Sequence, residues 1–357
     1  MFSTSSVSSE LTYRVITPSG DIPIKNIRPG DYVYNYLTNE VKEVKDVKRV
    51  ADRCFSVIYS DGRILSCLNS DLVLDGEEII DMETFKYHIS NQSIKDLFTR
   101  IYYFNCDETP RNAALIGALY TYGDWSKNNI NLPITPSKAH KLYGDTYEYK
   151  LMKHKIGDND LFTEFINPTL EGLMNTSLFW TNKIKYTDVF YREYFTEIYD
   201  KEKRTIPKRY MYGSYKTRNQ FMSGVVDMGK HFFTEAGELT IYCSNKYIVK
   251  ELQKMLWSMG IISTSIYSPD HSKIFGYDYN ITIRKRGNKV PEFIYNIQDI
   301  KDINNKQNQK NYEFIPDFKV VPVMIKEMPN MIMTYNIMLD KPNQPFLLSN
   351  FMPKISL

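Results

Sequence analysis

The strongest chemical signal in the sequence is a set of cations. Arg284, Lys285, Arg286 and Lys289 fall within six positions, directly after the alternating run Ile281-Thr282-Ile283. A second set, Lys183, Lys185, Arg192, Lys201, Lys203, Arg204, Lys208, Arg209, Lys216 and Arg218, crowds a Tyr-rich stretch. Basic residues interleaved with Tyr and Asn are what phosphate clamping and base contacts need. The competing reading is a solvated hairpin and an ordinary charged connector, because Asp188, Glu193, Glu197, Asp200 and Glu202 dilute the stretch. Thiol and metal chemistry have no comparable signal. Cys54, Cys67, Cys106 and Cys243 are scattered without a C-x-x-C pair. His88, His140, His154, His231 and His271 form no ligand-spaced cluster. Neither a zinc site nor a disulfide framework is expected; buried, reduced thiols are.

The whole chain sets wider bounds. Its 357 residues suffice for two or three domains with real cores. Lys+Arg of 45 against Asp+Glu of 42 gives +3, too mild a balance to announce a nucleic-acid binder by composition alone. It also argues against a polyanion-coating or acidic-tail protein. Hydrophobic residues at 42% and charged ones at 24% describe a globular chain rather than a disordered one. No apolar run is long enough to span a membrane, and Met1 to Glu10 has neither a basic start nor an apolar stretch. The expected location is therefore cytoplasmic. The 28 tyrosines, with abundant Lys, Asn and Ile, suggest AT-rich coding DNA. Phages often carry such coding DNA, which would place the chain in a host cytoplasm or virion.

The elements that must position these residues read as β, then α+β, then β. Residues 9 to about 90 read as short strands between turns, with Asp61-Gly62 turning a hairpin between Phe55–Tyr59 and Arg63–Ser66. Pro110 to Tyr122 reads as a buried helix with almost no charge. Further helices are expected at Ser137–Leu142 and Asn167–Met174, with a strand at Thr146–Leu151 between them. A second round begins near Arg218. A weakly charged helix at Gln220–Met228 is followed by a strand at Glu238–Cys243. The amphipathic helix Asn245–Met259, closed by Gly260, comes next, with strands at Ile261–Tyr267 and Tyr277–Arg286. The repetition is an internal duplication at the level of pattern. After a polar linker at Asp302–Asn311 come strands at Phe318–Ile325, Thr334–Leu339 and Pro345–Leu348.

Three stretches resemble known families. Val15-Ile16-Thr17-Pro18-Ser19-Gly20, Pro23-Ile24, Ile27 and Gly30-Asp31-Tyr32-Val33 resemble the opening block of the Hint fold of inteins and hedgehog autoprocessing domains. Met333 to Leu339 and Pro345 to Asn350 resemble an intein's closing blocks. The runs Leu115 to Asp124 and Phe221 to Gly229 resemble the two motifs of LAGLIDADG (dodecapeptide) homing endonucleases, which sit inside inteins. The resemblance implies an α+β chain. Its Hint-like all-β domain (1–95 and 312–357) would be interrupted by a pseudo-two-fold αββαββα saddle domain (96–305), in a monomer.

In that family two motif helices cross closely, which needs small residues at the contact. Gly117 and Gly224 fit those positions; two ordinary buried core helices are the competing reading. The family places one carboxylate at the foot of each helix to hold Mg²⁺ over the scissile phosphates. In strict register those positions are Tyr122 and Gly229. The nearest catalytic and metal-binding candidates are Asp124, two residues late, and Asp227, two residues early. Two residues along a helix is a rotation of about 200°. The strands after each helix would form a DNA-facing saddle, with Lys183, Lys185, Arg284, Lys285, Arg286 and Lys289 as candidate contacts.

The splicing positions are degenerate too. The first nucleophile falls on Ser8, where a generic turn serine is the competing reading. Asp71 stands where the activating histidine should be, and a carboxylate cannot donate as imidazolium does. The terminal His-Asn pair maps to about Ile355-Ser356. The expected function is that of a homing-endonuclease relative binding double-stranded DNA site-specifically. Cleavage and Mg²⁺ binding would be weak or lost, and splicing lost. The alternatives are an active Mg²⁺-dependent endonuclease, and a repurposed scaffold in a nucleoprotein or phage assembly.

Overall fold

The computed structural model describes residues 13–104, 113–122, 124–125, 129–134, 151–156, 159–165, 180–185, 205–228, 231–243, 245–267, 279–284 and 319–357. The expected helices at 137–142 and 167–174, the linker at 302–311 and residue Cys106 lie outside them. The described elements mix helices with antiparallel strands, an α+β chain. The chain divides into two compact units. One, called here the β unit, comprises Met1–Tyr103, Leu256–Thr264 and Glu313–Leu357. The other, the α+β unit, comprises Phe104–Met255 and Ser265–Tyr312.

The β unit is built on one long antiparallel pair. Strand Asp46–Tyr59 runs against Pro322–Met338, from Asp46 opposite Met338 to Tyr59 opposite Pro322. Two departures from the short strands expected there follow. Residues 46–54 join Phe55–Tyr59 in one strand, and residues 322–325 share a single strand with the segment expected at 334–339 across a bulge, while Lys319–Val320 pairs with Leu97–Phe98. That bulge shifts the register between Glu327 and Met331. Pro329, which has no N–H to give the ladder, lies within it. Ile64–Leu68 adds a third strand against residues 54–58. Its hairpin turns at Asp61-Gly62, with Gly62 at φ +83°, a conformation that suits glycine.

Shorter pieces close the unit. Arg14–Thr17 pairs with Gly20–Pro23, and Pro345–Leu347 pairs with Pro353–Ile355. Isolated bridges join Val15 to Leu348 and Asn35 to Phe346. Val15, Ile16, Val33, Val57, Phe346 and Leu347 are buried together in this unit's core. Helix α1 (Met82–Ser90) replaces part of the continuous strand pattern expected up to residue 90. It starts because the Asp81 carboxylate accepts the Thr84 N–H at 2.8 Å. Its other end is tied where His88 Nδ1 meets the buried Asp75 Oδ2 at 2.7 Å. The segment Leu256–Thr264 belongs to this unit through Tyr102, whose N–H donates to Ser258 O at 3.0 Å, and through the Ile101–Met259 bridge.

The α+β unit holds two rounds of helix and sheet. Helix α2 (Ala113–Tyr122) precedes a five-stranded antiparallel sheet ordered 124–125, 129–134, 180–185, 159–165, 151–156. The single turn α3 (Lys208–Met211) leads to helix α4 (Tyr215–Met228). That helix begins five residues earlier than its apolar pattern suggests, because Ser214 Oγ accepts the Thr217 N–H at 3.1 Å and starts it. A four-stranded sheet follows, ordered 231–233, 239–243, 279–283, 263–267. Helix α5 (Lys246–Ser258), whose last three residues belong to the β unit, ends in a Schellman motif. The Ile261 N–H reaches Leu256 O at 3.0 Å, the Gly260 N–H reaches Trp257 O at 3.0 Å, and Gly260 sits at φ +74°.

Candidate nucleic-acid interface and the Asp71–Lys354 centre

In the α+β unit, α2 and α4 pack backbone to backbone. A Cβ added to Gly117 would lie 2.1 Å from Phe221 O, so only glycine fits there. Around the contact Ile116, Tyr120, Phe221, Met222 and Val225 are buried, as is Gly224. The Tyr120 and Phe221 rings lie 5.8 Å apart, and Tyr210 and Phe221 5.7 Å. Two hydroxyls inside the pair are satisfied along their own helices. Thr121 Oγ1 donates to Gly117 O and Ser223 Oγ to Asn219 O, each at 3.0 Å.

The acids sit differently with respect to these helices. Helix α2 ends at Tyr122, and Asp124 lies beyond it in a short strand opposite Asn131. Asp227 is the penultimate residue of α4. Among the described residues no three His, Cys, Asp or Glu side chains are grouped to hold a metal ion. Tyr122 and Gly229, the register positions at the helix feet, lack the hard carboxylate oxygens that Mg²⁺ prefers. A phenol and a glycine do not fit the ion as a donor set.

Of the candidate cations, Lys183 and Lys185 lie on strand Trp180–Lys185, the centre of its five-stranded sheet. Lys183 is in register with Asn131 on one side and Glu164 on the other. Arg284 is exposed just past strand Tyr279–Ile283. Lys285, Arg286 and Lys289 lie outside the described residues. Arg218 is a correction. The sequence groups it with the exposed connector cations, but it is fully buried in α4, its guanidinium 5.2 Å from the Phe104 ring centroid. Its neighbours Thr217 and Asn219 are buried as well, so this turn of α4 faces the core.

In the β unit, Asp71 and Lys354 make a buried ion pair. Asp71 Oδ2 accepts from Lys354 Nζ at 2.6 Å and from the Leu68 N–H at 2.7 Å. The side chains are 6% and 4% exposed. The Lys354 ammonium also lies 5.1 Å from the Tyr13 ring centroid, and the Tyr13 hydroxyl donates to Tyr335 O. Burial pushes the Tyr13 phenol up to about 12 and the Cys67 thiol up to about 12. Burial alone would lower the Lys354 pKa. The Tyr13 phenol and the Asp71 carboxylate outweigh it, and the net shift is upward. Lys354 therefore stays charged. Ser356 is buried too, its Oγ accepting the Gln344 N–H at 3.0 Å. Ser8 lies outside the described residues. Cys54, Cys67 and Cys243 are buried free thiols. Lys354 itself carries no sequence signal, since nothing local marks a partner so far along the chain.

No protein-family model matches the chain, and no curated protein matches it. Among solved structures, the gp41-1 intein is similar at 24% identity and a TM-score of 0.19, over 21% of this chain. The match spans 57% of that intein's length. Mesophilic variants of the homing endonuclease I-DmoI are similar at 13% identity and a TM-score of 0.32, over 52% of this chain and 92% of theirs. I-DmoI in complex with DNA and Ca is similar at 13% identity and a TM-score of 0.31, over 50% and 84%. Likeness at this level leaves function to the residues of the chain itself. Among the described residues, no helix is long and apolar enough to cross a membrane.

Proposed function

We propose that this chain is a homing-endonuclease relative. It binds double-stranded DNA through a LAGLIDADG-like α+β unit, with cleavage weak or lost, and carries a Hint-like β unit that no longer splices. The observation that carries the reading is the contact of Gly117 with the Phe221 carbonyl, between two helices that each precede an antiparallel sheet. Lys183 and Lys185 on the first sheet and Arg284 on the second supply cations for phosphates. Loss of cleavage is supported by the donor set at the helix feet. Asp227 lies two positions short of the register residue Gly229, a rotation of about 200° on a helix, and a carboxylate cannot substitute from there. Loss of splicing is supported by Asp71, a buried ion-pair acceptor at the position where the resemblance calls for imidazole.

The test is selection of bound duplexes from a random pool, with and without Mg²⁺. Recovery of one enriched sequence without strand scission supports the reading. Failure to enrich any duplex at low salt overturns it and leaves the scaffold role.

A further inference from the structure

The β unit carries cations that its own fold does not use. Half of its described Lys and Arg residues are matched to a carboxylate, among them Arg14 with Asp21, Arg63 with Asp61 and Lys354 with Asp71. Lys48, Arg49 and Arg53 are exposed and have no carboxylate partner among the described residues. All three stand on the outer half of the long strand pair. Strand Ile64–Leu68 registers with residues 54–58 alone, so Asp46–Arg53 and Met331–Met338 continue beyond its reach as a two-stranded ribbon.

The ribbon's side chains sort by register. Arg49 opposes Tyr335, Ala51 opposes Met333 and Arg53 opposes Met331, all on one face because side chains alternate along a strand. Arg49 and Arg53 are thus about 14 Å apart along it, at about 3.4 Å per residue. The Arg49 guanidinium lies 6.0 Å from the Tyr335 ring centroid, which favours an extended arginine. Lys48 lies on the opposite face. The two acids of this stretch are turned onto backbone. Asp46 Oδ1 accepts the Val47 N–H at 2.8 Å. Asp52 takes the Arg53 N–H at 2.7 Å and the Ser70 N–H at 2.9 Å.

We propose that this ribbon is a DNA-binding surface of the β unit, in which Lys48, Arg49 and Arg53 hold phosphates of a duplex. The proposal rests on the reading of the chain as a DNA binder and adds a contact outside the α+β unit. A major groove about 12 Å wide admits a two-stranded β-ribbon. Arg49 and Arg53 on the ribbon's open face can meet phosphates along the groove; the face of Ile332 and Thr334 packs on the unit's own core, and Lys48 is exposed toward the ribbon's end. An acidic protein partner is the alternative outcome, and competition reads it.

The test is fluorescence anisotropy of a labelled mixed-sequence duplex, titrated with the full chain across a range of salt. Each phosphate contact contributes about 0.9 to the slope of log affinity against log salt. The variant Lys48→Gln/Arg49→Gln/Arg53→Gln is therefore expected to lose about 2 to 3 from that slope while keeping its melting temperature. Arg49→Lys/Arg53→Lys, which keeps the charge, should retain the slope and controls for folding. Wild-type slope and affinity in the triple variant would overturn the ribbon and leave the α+β reading standing. Loss confined to the triple variant, with Lys183→Gln/Lys185→Gln/Arg284→Gln unchanged, would keep the ribbon and overturn the α+β reading. No duplex binding by the wild type overturns both. Competition by polyglutamate as strong as by duplex also overturns the ribbon as a nucleic-acid surface.

Discussion

Asp71 and Lys354 stand 283 residues apart in the chain and meet at 2.6 Å inside the β unit. A buried pair of this kind is weak evidence for stability against an apolar replacement, but breaking one half leaves a charge without water or partner. Lys354→Met or Asp71→Leu alone should destabilise the protein by about 3–5 kcal/mol. The double variant should recover much of that loss. Urea unfolding of the three variants measures it, and additive losses would show that the two residues are not coupled.

Stability should fall on the alkaline side. The Tyr13 phenol and the Cys67 and Cys243 thiols are each raised to about 12 by burial, from ordinary values of 10.0 and 9.0. Lys354 is raised as well. A raised folded-state pKa means that the unfolded chain releases these protons first. Stability is then fully present below about pH 9 and drains as pH rises toward 12. Melting temperatures measured between pH 8 and 11 should decline steadily; a flat profile would contradict the burial of these groups.

Gly117→Ala tests the helix contact. The new Cβ would lie 2.1 Å from Phe221 O, and a backbone atom in a helix cannot move aside cheaply. Overpacking of this type costs about 1–3 kcal/mol and sometimes more. A chemical denaturation midpoint equal to that of the wild type would mean that the helices do not approach this closely.

DNA affinity should drop steeply with salt but change little on adding Mg²⁺. Asp124→Ala should leave binding intact and remove any residual nicking. If the wild type cuts a defined site on both strands, and Asp124→Ala or Asp227→Ala stops it, the active-enzyme reading replaces the degenerate one.

Loss of splicing has a direct readout. The purified chain should remain one species of 42.0 kDa. A fragment beginning at Ser8, or a ligated product, would show by mass spectrometry that Asp71 has not silenced the centre.

Local chemistry was legible from the residues alone. Asp61-Gly62 specifies its hairpin, Gly260 its helix end, and the weakly charged runs before Tyr122 and Met228 their buried helices. Each depends on neighbours within a few positions. Strand 46–54 was not legible, because its open face carries Arg49, Ala51 and Arg53 while the covered face takes up Val50 only in part, so it shows no apolar alternation. Helix α1 was missed because only Met82 and Phe85 are buried in it, too few to set a period. The burial of Arg218 and the choice of Lys354 as partner for Asp71 belong to tertiary structure alone. Whether a cation faces water or a ring, and which distant charge meets a carboxylate, depends on which surfaces packing brings together, and no local pattern encodes that.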